Sequence, residues 1–186
     1  MSKLISYMAL LSAALASVAV AAADEEKLVV QAQNKVQAFS GQLKSELSTA
    51  IKAGGLVNGI KVCQQRAPVI AASLSIDGWQ VARKSNKNRN PKNVPDSWEL
   101  QQLQHYLAMN ADNQPLAGQH TSTTSSSTFR YTSPIMAGPL CLSCHGETIA
   151  PEVKQALAHY YPNDLATGYR LGELRGIFSL TKQLQK

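Results

Sequence analysis

The run Cys141-Leu142-Ser143-Cys144-His145 (CLSCH) is where residue type and spacing specify chemistry most directly. Two thiols separated by two residues and followed at once by a histidine form the C-x-x-C-H pattern of covalent haem attachment. The thiols add to the two vinyl groups along one side of a porphyrin, a distance that two intervening residues span. The imidazole then falls beneath the iron as an axial ligand. The spacing predicts one covalently bound haem c on Cys141 and Cys144, with His145 on the metal.

Three other chemistries compete for the same residues. A Cys-x-x-Cys redox pair normally opens a helix in a thioredoxin-like βαβ unit, and no such unit is legible here. A disulfide between Cys141 and Cys144 would close a very small, strained ring. A zinc site of Cys63, Cys141, Cys144 and His145 has an acceptable donor set. Haem is the favoured reading and zinc the runner-up.

The chain has three cysteines, so one thiol is left over. Cys63 lies on an apolar helix stripe, where an inert buried thiol competes with a ligand role. The other candidates for the second axial position are His105, His120, His159, Met109 and Met136. Met136 stands too near Cys141 in sequence to loop over to the opposite haem face. The histidines read more naturally as surface or structural groups.

The opening segment suggests where such chemistry would be done. Lys3 is followed by the apolar run Leu4 to Val20, then Ala21-Ala22-Ala23, then Asp24-Glu25-Glu26. That is the layout of a secretory signal peptide over residues 1–23, cleaved near Ala23. The expected location is periplasmic, where covalent haem attachment takes place. The mature chain keeps about 163 residues (186 − 23), enough for one core. A formal net charge of +6 suits an acidic protein partner or haem propionates. The basic residues are too few and scattered to indicate nucleic acid.

Helices lead the chain. Leu28, Ala32, Val36, Phe39, Leu43, Leu47 and Ile51 recur at helical spacing, so 24–53 reads as one long helix. Its apolar face serves packing, with a homodimer seam as the alternative. Gly54-Gly55 ends it. Leu56, Ile60, Cys63, Ala67, Ile70 and Leu74 form a second stripe, which Pro68 is expected to divide into two short helices.

A sheet follows. Trp79 to Arg83 is a strand candidate, and 84–95 (KSNKNRNPKNVP) is a long polar loop. Asp96 or Ser97 caps a helix whose buried side is read as Leu100, Leu103 and Leu107. Residues 119–133 alternate Phe129 and Tyr131 with polar residues, which suggests a hairpin turning at Ser126-Ser127. Residues 134–148 read as a loop carrying the motif, 151–160 as a short helix opened by proline, and 174–182 as a final strand. The fold class is α+β: an antiparallel sheet with flanking helices and a long N-terminal helix.

Several blocks in this order resemble the family of haem c-binding domains with a PAS-like fold, long known as a domain of unknown function. Its characterised relative is a cyanobacterial c-type haem protein. The blocks are VCQQRAP around Cys63, Gly78-Trp79, Arg83, Arg89-Asn90-Pro91 with Asn93 and Pro95, and Trp98-Glu99. Arg130-Tyr131, CLSCHG and YPNDLATGYRLGELRG complete the set. The resemblance spans about Val57 to Thr181, so 24–55 is taken as an N-terminal helix and 56–186 as the PAS-like haem c-binding domain. One departure is visible: Arg83 is followed by Lys84-Ser85-Asn86-Lys87 where the family usually has Thr-Ser-Leu-Lys.

The resemblance implies an uncommon axial pair, the motif histidine and a cysteine thiolate from an N-terminal helix. Those roles fall on His145 and Cys63, which would account for the odd thiol. A thiolate favours ferric iron and a low potential. Arg83, Arg89 and Arg130 are candidates to pair with the haem propionates, since guanidinium suits carboxylate. Arg175 is a candidate for the same role or for fixing the last strand.

Two functions follow from different classes. One is a redox or small-gas sensor module in which Cys63 leaves the iron on reduction and informs a periplasmic signalling partner. The other is a low-potential periplasmic electron-transfer cytochrome. The chain stops at Lys186 without an output domain, which favours the carrier unless a partner receives the signal. An enzyme is not expected, because no acid–base pair or nucleophile stands out.

Overall fold

The computed structural model describes residues 2–123 and 127–184. The arrangement is α+β with a PAS-like sheet, as the sequence predicts. Helix α1 (Ser2–Leu74) contains one break, at Gly54 and Gly55. Gly55 takes φ 75° and ψ −174°, a conformation open essentially to glycine alone. The chain reverses there, so the arm 56–74 lies against the preceding arm from about Lys35 onward. Lys35 Nζ donates to the Leu74 carbonyl at 2.8 Å. Arg66 and Glu46 pair at 2.7 Å.

Pro68 does not divide the second arm, contrary to the sequence expectation. Proline removes one helical hydrogen bond. Ala67 and Ile70 on either side of it are both fully packed, and that burial holds the helix through the defect.

The sheet contains β1 (Trp79–Lys84), β2 (Gln119–Thr123), β3 (Thr128–Met136) and β4 (Leu174–Gln183). Its order is β1-β4-β3-β2, antiparallel throughout. Trp79, Val81, Phe129, Tyr131, Phe178 and Leu180 alternate onto one face. Ala32, Phe39 and Leu43 from the first arm of α1 and Ala67 and Ile70 from the second pack against them. The N-terminal helix therefore shares the main core. Of the expected Ser126-Ser127 turn, Ser126 lies outside the described residues, and Ser127 has φ 47°.

Helix α2 (Ser97–Ala111) covers part of the other face. Asp96 caps it, and Glu99 completes a capping box. Its buried side is Glu99, Leu103 and Tyr106, not the predicted leucine stripe, because Leu100 and Leu107 are exposed. Tyr106 supplies the second anchor because its hydroxyl meets Thr132 and the Gln119 N–H. Glu99 is tolerated inside because Ser179 donates to it at 2.6 Å.

The segment 134–148 is not a loop. Strand β3 runs on to Met136, with its register shifted at the end, and α3 (Pro139–His145) follows directly. Pro139 starts α3 without losing a needed donor. Helix α4 (Pro151–Tyr160) matches its predicted bounds. It packs Val153 and Leu157, with Ile149 and Tyr161, against Ile60 of α1.

Candidate functional site

Helix α3 carries the paired thiols and His145 in one short turn region, and the following backbone fixes its exit. Gly146 N–H donates to the Leu142 carbonyl at 2.8 Å. A Cβ on Gly146 would stand 2.6 Å from that oxygen, so only glycine fits after the histidine. The 164–173 segment then runs beside it. Tyr169 N–H donates to the His145 carbonyl and Gly168 N–H to the Gly146 carbonyl, both at 3.0 Å.

His145 is buried and held in one tautomer. Its Nδ1 lies 2.7 Å from the Ala166 carbonyl, which only accepts, so Nδ1 carries the proton. The Nε2 lone pair is left available, the form a metal ligand requires. Burial, then the cations Arg175 and Arg89, push the imidazole well below its ordinary pKa. The Ala166 bond opposes them only in part. His145 is neutral at physiological pH.

Two guanidinium groups face that lone pair. Arg175 Nη1 is 3.1 Å from Nε2, and Arg89 Nη1 is 3.4 Å from it. Arg83, reaching from the end of β1, interacts with Arg175, Cys63 and Tyr161. Burial and then Arg175 lower its pKa. Arg89 pairs with Asp164 at 2.9 Å. Among the described residues no carboxylate lies in salt-bridge range of Arg83 or Arg175. The Nε atoms of Arg89 and Arg175 are buried and lack a hydrogen-bond partner. Three cations set against one carboxylate, with orphaned donors, are what a group bearing two carboxylates would complete.

Cys63 lies near the same cluster of residues. It lies on the inward stripe of α1, between Ile60 and Ala67. Ile60 belongs to the cluster against which Cys144 packs, whereas Ala67 belongs to the core on the sheet. Cys63 couples electrostatically to Cys144, Arg83 and Tyr161. Burial first, then Cys63, drives the Tyr161 hydroxyl up to about 12. Burial also raises the Cys144 thiol. Gln64 Nε2 ties this arm to α4 by donating to the Tyr160 carbonyl at 3.2 Å.

The other sequence candidates lie elsewhere. Arg130 sits on the sheet face toward α2, paired with Asp96 at 2.6 Å and stacked on Trp98. Arg175, read from the sequence as sharing the propionate role or fixing the last strand, lies beside His145. His105 and His159 are exposed, and His120 lies near Glu25 and against Phe129 on β2. Met136 is exposed at the end of β3, and Met109 lies in the last turn of α2. Among the described residues, no three His, Cys, Asp or Glu side chains are grouped to hold a bare ion, so the zinc reading lacks a cage.

Sequence reasoning missed Asp164 and the Ala166 carbonyl. Both fall inside the YPNDLATGYRLGELRG block, but nothing in a loop sequence says which carbonyl will meet a histidine. The loop after Arg83 is pinned despite its departure from the family pattern. Ser85 Oγ donates to the Arg175 carbonyl, and Lys87 Nζ to the Thr167 carbonyl.

The Tll0287-like family model matches residues 15–182 of the chain. The chain belongs to the Tll0287-like family. Among solved structures, this Tll0287-like chain is similar to the crystal structure of the cyanobacterial heme-protein Tll0287. The identity is 25% and the TM-score 0.61, over 86% of this chain and 95% of that one. No curated protein matches it. The Tll0287-like match spans both arms of α1 beyond residue 15 and reaches β4, so it includes every residue around His145.

Proposed function

We propose that this chain is an exported protein carrying one haem c, and that it acts as a redox or small-gas sensor module. The observation that carries the reading is His145. Its Nδ1 proton is spent on Ala166, and its unprotonated Nε2 meets Arg175, a guanidinium whose buried Nε lacks a hydrogen-bond partner. Similarity to a cyanobacterial heme-protein supports the same cofactor.

The residues present fit that group. Cys141 and Cys144 would hold it by thioether bonds, His145 and Cys63 would ligate its iron, and arginines near His145 without a protein carboxylate would face its propionates. When bound, haem supplies a one-electron couple and an iron able to take a diatomic ligand. The protein does the rest. Ala166 orients His145, and Arg89 holds the attachment helix. Cys63, as a thiolate ligand, would favour the ferric state.

Cys63 stands on a helix arm hinged at Gly54-Gly55 and packed on α4. Release of this thiol would therefore be felt by an element that can convey it to a periplasmic partner. The electron-carrier reading rests on a different observation. Met136, Leu140 and Leu171 stand exposed on α3 and the segments flanking it, as a docking surface for a redox protein would require.

Spectra of the reduced, haem-loaded protein under CO separate the two. Prompt CO binding with loss of the Cys63 ligand supports the sensor. A haem that stays six-coordinate and exchanges electrons without ligand change supports the carrier.

A further inference from the structure

The three arginines around His145 are not equivalent. Arg89 spends its Nη2 on the protein, although its Nε, like that of Arg175, lacks a partner. Its Nη2 donates to the Cys144 carbonyl at 2.6 Å and to the Ala166 carbonyl at 3.3 Å, and pairs with Asp164 at 2.9 Å. Asp164 also accepts from Ala166 N–H at 2.8 Å. The four residues form a closed clasp between the end of α3 and the 164–166 backbone. The Arg89 side chain is 9% exposed and that of Asp164 11%, so the pair is desolvated and its geometry fixed.

Arg175 and Arg83 have no such commitment. Arg175 directs Nη1 at the His145 lone pair, and its Nε has no partner. Arg83 lies over the Phe39 ring, its guanidinium carbon 5.4 Å from the centroid, and is electrostatically opposed by Arg175. Two like charges at close quarters, without a carboxylate on either, are costly unless anions join them. Asp164 neutralises one of the three cations and leaves a surplus of two. Haem has two propionates.

Resting on the haem reading above, we propose that the arginines divide the work. Arg83 and Arg175 receive the two propionate carboxylates. Arg89 is a positioning residue that clasps the attachment helix to the 164–166 backbone and takes no propionate.

The test uses the full chain matured in a host with haem-ligation machinery. It compares Arg83→Gln, Arg175→Gln, Arg89→Gln and Asp164→Asn. Resonance Raman reads the propionate bending bands, potentiometry the midpoint, and a haemochrome assay the covalent haem per chain. Arg83→Gln and Arg175→Gln are expected to shift the propionate bands and lower the potential, because each removes a cation that favours the added electron. Both retain most of their haem. Arg89→Gln and Asp164→Asn are expected to leave the propionate bands in place and lose covalent haem severalfold.

Asp164→Asn leaves Arg89 itself intact, so it decides the matter if Arg89→Gln does not fold. Propionate bands that move in Arg89→Gln or Asp164→Asn, or that stay fixed in Arg83→Gln and Arg175→Gln, overturn the division. A colourless parent protein would instead sink the haem reading, which keeps the two failures apart.

Discussion

The Nδ1 atom of His145 lies 2.7 Å from the carbonyl oxygen of Ala166, and this contact decides which ring nitrogen is free. A carbonyl cannot donate, so the tautomer is fixed by backbone placed 21 residues further along the chain. Everything the site does depends on that placement.

On the proposed attachment, Cys63→Ala is expected to retain covalent haem, because the thioether bonds would belong to Cys141 and Cys144. Its ferric absorption and paramagnetic resonance spectra should lose the signature of thiolate ligation. Its reduction potential should rise, since an electron-donating ligand is gone. A variant whose spectra and potential match the parent would remove Cys63 from the iron.

Gly55→Ala tests the hinge. A side chain at φ 75° and ψ −174° is strained by about 1–3 kcal/mol. Thermal unfolding should register that loss, and the ferric spectrum should become heterogeneous because the arm bearing Cys63 is displaced. An unchanged melting temperature would mean that the reversal between the arms does not depend on this glycine.

The buried face of α2 makes a sharp contrast. Leu103 is 1% exposed and Leu107 40%. Leu103→Ala is expected to cost about 2–5 kcal/mol in chemical denaturation. Leu107→Ala should cost roughly 0.5 kcal/mol or less. Equal losses would restore the leucine stripe that the sequence suggested.

That stripe shows where sequence stops informing. Leucine spacing alone could not reveal that Glu99 turns inward, because its burial depends on Ser179, a residue 80 positions away. Pro68 misled for a related reason: the packing of Ala67 and Ile70 outweighs a local defect. By contrast, the strands β1 and β4 and helix α4 were readable because period and punctuation agree in those segments. The paired thiols, His145 and the odd Cys63 were visible as residue types. Arg175 was read as a propionate partner or as fixing the last strand, and Arg130 lies instead beside Asp96 and Trp98. Which charges share a pocket is set by strand order, which periodicity does not contain.

Asp96 should make acid stability measurable. Burial raises its pKa, but the Glu99 N–H and the Arg130 guanidinium outweigh that and hold the carboxyl below its ordinary value. A group depressed in the folded state stabilises above its unfolded pKa of about 4, and that contribution is lost as pH falls through the folded value. Asp96→Asn keeps a capping side chain yet lacks the charge. Its stability should fall less steeply below about pH 4 than the parent's. Identical acid limbs in denaturation would show that Arg130 adds nothing through this carboxylate.

The central claim concerns covalent iron porphyrin on Cys141 and Cys144. Its most direct test is a pyridine haemochrome of the full chain matured in a host able to ligate haem, taken before and after acid–acetone extraction. The proposed haem attachment predicts one haem per chain, with a spectrum typical of two thioether bonds and colour that stays with the protein. Colourless protein, or pigment that leaves with the solvent, would contradict it.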